Sequence, residues 1–196
     1  ADPAEVRERP PRFRRRDIVV GLAIAVGVLA VAFFAELPGG YDGDFTPYEI
    51  ANLGPAPKVG QPAPDFRVVA LDGDFYTLSD FLGRPVWLNL WATWCPPCRA
   101  ENPDIEEMYQ EYRDQGLVVL GVSVAEQEST VRDYVERVGL SYDIALDWDN
   151  AVASRYRLVG FPTHVFIDPQ GIVKEYRVGG LSESGMRKML EDRLGL

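Results

Sequence analysis

Two residues in the chain carry recognisable redox chemistry, and they stand three apart. Cys95 and Cys98 lie in Trp94-Cys95-Pro96-Pro97-Cys98, and they are the only cysteines among 196 residues. That spacing lets two sulfurs meet at the start of a helix and close a disulfide. A sulfur at the cap position faces unpaired backbone N–H groups and the positive end of the helix dipole. Both favour a thiolate and lower its pKa below the free value of about 8.5. The thiolate attacks in disulfide exchange, so Cys95, expected as the exposed member, is the candidate nucleophile. Cys98 is the candidate resolving thiol. Pro96 suits the first helical turn, where an N–H has no intrahelical partner to lose.

Other chemistries fit less well. One histidine and two cysteines cannot supply the four ligands of a structural zinc site. Haem attachment needs a histidine directly after the second cysteine, and Arg99 stands there. A purely structural disulfide closing so short a loop removes little chain entropy. A redox dithiol remains, with no metal and no cofactor expected.

The surrounding pattern shows what positions the pair. Val86–Trp91 (VWLNLW) reads as a strand buried on both faces, and it hands over to a helix from Pro96 to Gln115, stopped by Gly116. Ile105, Met108, Tyr109 and Tyr112 keep the helical period on one face. Residues 66–71 and 75–78 flank Asp72-Gly73-Asp74 and read as a hairpin, with Ser79 capping a short helix. Residues 117–124 form a second buried strand. Ser129 or Thr130 caps a helix to Val138, Ile144–Leu146 is a short strand, and Asp149 caps a helix through Arg157. Strands over 163–167 and 172–178 turn at Asp168-Pro169-Gln170-Gly171, and Ser182 opens a last helix to Leu194. Strands alternating with helices predict an α/β fold of the thioredoxin-like order. It has a mixed central sheet, an N-terminal hairpin and one strand-helix insertion.

The charge is unevenly spread. The chain carries a net −10, which disfavours nucleic acid as a partner. Residues 1–17 nevertheless hold six arginines against four acids. Residues 18–35 follow without a charge, long enough as a helix to span roughly 27 Å, near the short end of what a bilayer core accepts. The arginines predict a cytoplasmic N-terminus, and so an extracytoplasmic remainder on the cell membrane. Ala30-Val31-Ala32 has the form of a signal-peptide cleavage site, but 18 apolar residues exceed the usual length of that region. A retained single-pass anchor is therefore the expectation. Prolines and glycines then mark 36–58 as a linker, leaving 59–196 as the globular domain.

Several segments together resemble the membrane-anchored thioredoxin-like proteins of the TlpA/ResA/CcmG group. They are Pro64-Asp65-Phe66, residues 78–81, Gly83-Arg84-Pro85, the run from Asn89 through Cys95 and Cys98 to Glu101, and Gly160-Phe161-Pro162-Thr163. The resemblance implies a thiol-disulfide oxidoreductase that reduces the disulfide of apocytochrome c during cytochrome c maturation. A membrane thiol reductase of the CcdA or DsbD type would return the electrons. It places Pro162 after a cis bond opposite the cysteines, with Trp94, Pro96, Pro97 and Phe161 completing the substrate contact. Glu101, beside the dithiol in the ResA-like branch, would tune its protonation and joins Cys95 and Cys98 as a candidate catalytic group. A carboxylate there disfavours a thiolate and can relay its proton.

Departures from relatives are informative. Many thioredoxins carry a buried Asp where Asn89 stands, and an amide cannot exchange a proton in its place. Leu88 and Ala92 occupy positions where thiol peroxidases of this fold carry Pro and Thr/Ser. His164 reads as a locally satisfied strand residue, Trp91 as core. Glu106-Glu107 and Asp147-x-Asp149 read as solvated surface. General thiol exchange on exported proteins and an accessory role in a membrane complex are the rival functions.

Overall fold

The computed structural model describes residues 56–196. The basic segment 1–17, the expected anchor 18–35 and nearly all of the expected linker lie outside the described residues. Within them, no helix is long and apolar enough to cross a membrane.

Seven strands form one sheet in the order β2-β1-β5-β4-β3-β6-β7. The N-terminal hairpin is β1 (Arg67–Ala70) and β2 (Phe75–Thr77), paired antiparallel. Strand β3 (Val86–Trp91) lies parallel to β4 (Val118–Val124), and β4 lies parallel to β5 (Asp143–Asp147). Strands β6 (Thr163–Ile167) and β7 (Val173–Val178) continue antiparallel from the other edge of β3. Helix α1 (Pro96–Tyr112) follows β3, α2 (Glu128–Val138) follows β4, α3 (Ala151–Arg155) follows β5, and α4 (Glu183–Met189) closes the chain with a π turn over Leu190–Leu194. This is the thioredoxin-like order, with β5 inserted between β4 and the hairpin.

Every residue of β3 and β4 is buried, as the unbroken apolar runs predict. Alternation along β3 sends Trp87 and Trp91 into a core shared with Ile105 and Met108 of α1, Val131 of α2 and Met186 of α4. Val86, Leu88 and Leu90 face the opposite core, where Val152 and Tyr156 pack. The disulfide thus stands just past the end of a fully buried strand, on the three-helix face.

Several boundaries differ from expectation because the caps come from elsewhere. Thr77, not Ser79, precedes the short 3-10 helix Leu78–Phe81, and its N–H donates to Asp80 at 3.0 Å. Helix α1 ends at Tyr112 and tightens into a 3-10 turn, Arg113–Gln115, before Gly116 takes a left-handed φ of 98°. Helix α2 starts at Glu128 after an extended Gln127, ahead of the Ser and Thr expected to cap it. Asp149 accepts from Ala151 N, but α3 ends at Arg155, and its next two N–H groups donate to Asp147 at 3.0 and 2.9 Å. Asp147 is therefore a buried cap, not solvated surface, and its burial raises its pKa. Glu106 also does structural work, accepting from Ser141 N at 2.7 Å. Residues 60–63 run along the start of β7, with Gly60 N donating to Val173 O at 2.8 Å.

Burial also predicts a pH limit. Tyr142 and Tyr156 are buried in the two cores, and burial pushes both phenols well above their ordinary value. A raised phenol contributes stability in full below the unfolded pKa of about 10, and loses it as pH climbs towards the folded value. Each unit above about 10 should then cost roughly 1.4 kcal/mol per tyrosine, about 3 kcal/mol for the pair. Denaturant unfolding at pH 9, 10 and 11 should show at least this slope above pH 10, and Tyr156→Phe should remove roughly 1.4 kcal/mol per unit of it. A flat profile to pH 11 would show that the two rings ionise without unfolding the domain.

Candidate active site

Cys95 is the N-cap of α1, with an extended φ of −81° and ψ of 112°. Cys98 sits one turn in. Their sulfurs are bonded at 2.11 Å, with Cα atoms 5.3 Å apart. The Cys95 Sγ accepts from Cys98 N–H at 3.2 Å, the place an N-cap oxygen normally fills. This backbone donor would stabilise negative charge on Cys95 Sγ when the pair is reduced. In the oxidised form seen here Cys95 is only 3% exposed and Cys98 0%. The expectation of an openly exposed Cys95 is thus corrected: packing around the closed ring leaves only its edge to solvent.

The neighbours expected from the motif do converge. Trp94 is 62% exposed and meets Phe161 edge-on, with ring centroids 5.4 Å apart. Pro96 and Pro97 are exposed in the first turn of α1. The peptide bond between Phe161 and Pro162 is cis. The loop is held by Thr163 Oγ1 donating to Gly160 O and by Gly179 N donating to Pro162 O, each at 2.8 Å.

Glu101 lies one turn beyond Cys98 and is buried. Its Oε2 accepts from Leu181 N–H at 3.0 Å. A Cβ built on Gly180 would lie 3.4 Å from that oxygen and 3.8 Å from Pro97, so the 179–181 loop packs between the carboxylate and the active-site turn. The other oxygen, Oε1, stands 3.3 Å from His164 Nε2. The approach is close but too oblique for a hydrogen bond, and neither atom has another hydrogen-bond partner among the described residues.

Two residues at the site have partners that the sequence did not give them. His164 is fully buried, and it faces Glu101 instead of being satisfied within its own strand. Glu126, just past β4, accepts from Thr93 N at 2.8 Å, from the Thr93 hydroxyl and from Ser123 Oγ at 2.7 Å. One carboxylate thus takes three donors and fixes the turn that presents Trp94 and Cys95. A Thr two residues before a reactive cysteine hints that its turn needs an acceptor, but nothing local names Glu126. Asn89 is buried with both amide atoms unpartnered among the described residues.

The arrangement suits exchange with a cystine on another protein. A thiolate at Cys95 attacks one sulfur of that cystine, forming a mixed disulfide and releasing the other as a thiolate. Cys98 then attacks Cys95 Sγ, re-forming the ring observed here and freeing the second thiol. Two electrons pass to the substrate, and two protons from the dithiol balance them.

Comparison with known proteins agrees. Residues 59–176 match the AhpC/TSA family. A thiol-disulfide oxidoreductase ResA from Geobacillus kaustophilus is 38% identical over 136 residues, covering 69% of this chain and 78% of the relative. Among solved structures, a thiol:disulfide interchange protein of the thioredoxin family from Chlorobium tepidum aligns with a TM-score of 0.64 at 29% identity, covering 71% of this chain and all of that one. The exposed lipoprotein thioredoxin Etrx1 of Streptococcus pneumoniae aligns at 0.57 with 29% identity, covering 65% and 98%. With a paired Cys95 and Cys98 at a helix start, beside a cis-proline loop, and with these relatives, the chain belongs to the AhpC/TSA family and is a thiol-disulfide oxidoreductase of the ResA type.

Proposed function

We propose that this oxidoreductase works as a reductase, tethered to the outer face of the cell membrane, and that its substrate is the Cys-x-x-Cys-His disulfide of apocytochrome c. The observation that carries this reading is Glu101, a buried carboxylate on the helix that holds the disulfide. The resemblance to the ResA-like branch makes that residue the tuner of the dithiol. A carboxylate beside a thiol holds it protonated, which favours a stored dithiol over a leaving thiolate. The arginine cluster and the uncharged stretch 18–35 support the tether and its orientation. A membrane reductase of the CcdA or DsbD type would restore the dithiol. Tethering raises the effective concentration of enzyme near that donor.

The surface beside the disulfide suits a polypeptide substrate. A groove runs from Trp94 and Phe161 past Ala153, Ser154 and Leu158. Three non-glycine residues with positive φ line it, Ala125 at 57°, Asn150 at 60° and Arg157 at 53°. Strained backbone of this kind gathers at functional sites. Peroxide chemistry is disfavoured, since Leu88 and Ala92 are buried and apolar and offer no hydroxyl to a peroxide.

The test is a mixed-disulfide trap in the full chain. Cys98→Ser removes the resolving thiol, so the first covalent complex should persist. Incubation with oxidised apocytochrome c should give one adduct, joined through Cys95 to a cysteine of the haem-binding motif. Adducts with other exported proteins and none with apocytochrome c would replace this reading with general disulfide exchange.

A further inference from the structure

We propose that His164 is a positioning residue for Glu101, and that Trp87 sets the tautomer in which it acts. The inference rests on the reading of Glu101 given above and adds a partner that neither the motif nor the comparisons assign.

The geometry is specific. His164 lies on β6, in register with Asn89 on β3. Its Nδ1 accepts a hydrogen bond from Trp87 Nε1–H at 3.2 Å. An indole nitrogen only donates, so Nδ1 must carry a lone pair and no proton. The ring proton of a neutral imidazole then sits on Nε2. Nε2 is the atom that stands 3.3 Å from Glu101 Oε1. Leu181 N–H already occupies the other oxygen at 3.0 Å. The carboxylate therefore stands between a backbone N–H that donates to one oxygen and an imidazole N–H poised 3.3 Å from the other. The imidazole is locked in turn by an indole buried in the sheet.

The surroundings leave His164 few other charged neighbours. Glu101 approaches from α1. From β3 come Trp87 and the neutral Asn89. From β7, Arg177 stands in register and is exposed to solvent. On the closing π turn, Glu191 accepts from Tyr112 at 3.4 Å, and Arg193 pairs with Glu175 at 3.2 Å. Helix α4 contributes buried Met186 and Met189 to this face. Among the described residues, Glu101 is the one ionic group that stands against the imidazole. An oblique contact in the resting form is common where a hydrogen bond tightens during reaction.

His164 is the only histidine of the chain, so its ring nitrogens give unambiguous resonances. Nitrogen NMR of the full chain at neutral pH should show a protonated Nε2 and an unprotonated Nδ1. Trp87→Phe should mix the two tautomers. A proton on Nδ1 in the unaltered chain overturns the proposal without any variant. The second readout is the pH midpoint for alkylation of Cys95 in the reduced full chain. Glu101→Gln should shift that midpoint by at least about 0.5 unit. His164→Phe should shift it by a comparable amount, and His164→Gln, which keeps an N–H donor, by less than half as much. In the Glu101→Gln background, His164→Phe should add nothing. An equal shift in both backgrounds, or none in the unaltered background, sinks the role of His164. No shift from Glu101→Gln itself sinks the reading of Glu101 instead.

Discussion

Replacing Cys95 by serine should abolish reduction of a cystine-containing protein by the full chain, with a loss of at least about a thousandfold. A serine hydroxyl is not ionised near neutral pH and cannot form the mixed disulfide that carries the electrons. The N-cap position should survive the change, because serine is among the preferred caps and its oxygen can take the Cys98 N–H now donated to sulfur. Stability measured by denaturant should therefore stay close to that of the reduced protein, separating lost chemistry from lost fold. Reduction of an insulin-type disulfide, followed by alkylation and mass, checks the rate. Retention of a tenth of the rate or more would move the nucleophile elsewhere.

The largest loss of stability should come from a position with no chemistry. Gly121 sits in the middle of β4, in register with Asn89. A Cβ there would lie 2.9 Å from a ring carbon of Tyr142, 3.0 Å from Ile144 Cδ1 and 3.2 Å from Trp91 Nε1. All three side chains are buried in the core beneath the active-site helix. The backbone is ordinary, so the demand for glycine is one of space. Gly121→Val adds three carbons where the first already collides, and overpacking of this kind costs about 1–3 kcal/mol or more. We expect about 3 kcal/mol, read as a lower denaturant midpoint with an unchanged slope. The folded fraction should exchange disulfides at the ordinary rate. A loss under about 0.5 kcal/mol would mean that Tyr142 and Trp91 step aside freely, against the close packing described.

Much of this is legible in the sequence alone. The run Val86–Trp91 is a strand over the expected residues, because an uninterrupted apolar stretch between turn signals has few other uses. The helix after it starts at Pro96, since the proline pair and the cap pattern are local signals. The cysteine pair, the cis bond before Pro162 and the exposure of Trp94 follow the resemblance.

What escaped is non-local. Asn89 and His164 are 75 positions apart and become neighbours only through the β3–β6 register, which periodicity does not specify. A lone histidine in an apolar strand therefore looked locally satisfied. Asp147 looked like a surface acid, and Glu126 drew no reading, because their partners are backbone N–H groups or hydroxyls brought in by the fold. Helix starts slipped for the same reason: α3 takes its cap from the end of β5. Local chemistry was readable, and partners supplied by packing were not.

The central claim is that Cys95 and Cys98, reduced to the dithiol, pass two electrons to another protein's disulfide and close the observed ring as they do so. The direct measurement is the reduction potential of the full chain, equilibrated in defined redox buffers and read by alkylation and mass. The account predicts one two-electron transition in which both thiols appear together, at or below about −200 mV, on the glutaredoxin and thioredoxin side of the scale. A transition near −120 mV would make the pair an oxidant, and a pair that stays closed to strong reductants until the protein unfolds would make it structural. Either result contradicts the account.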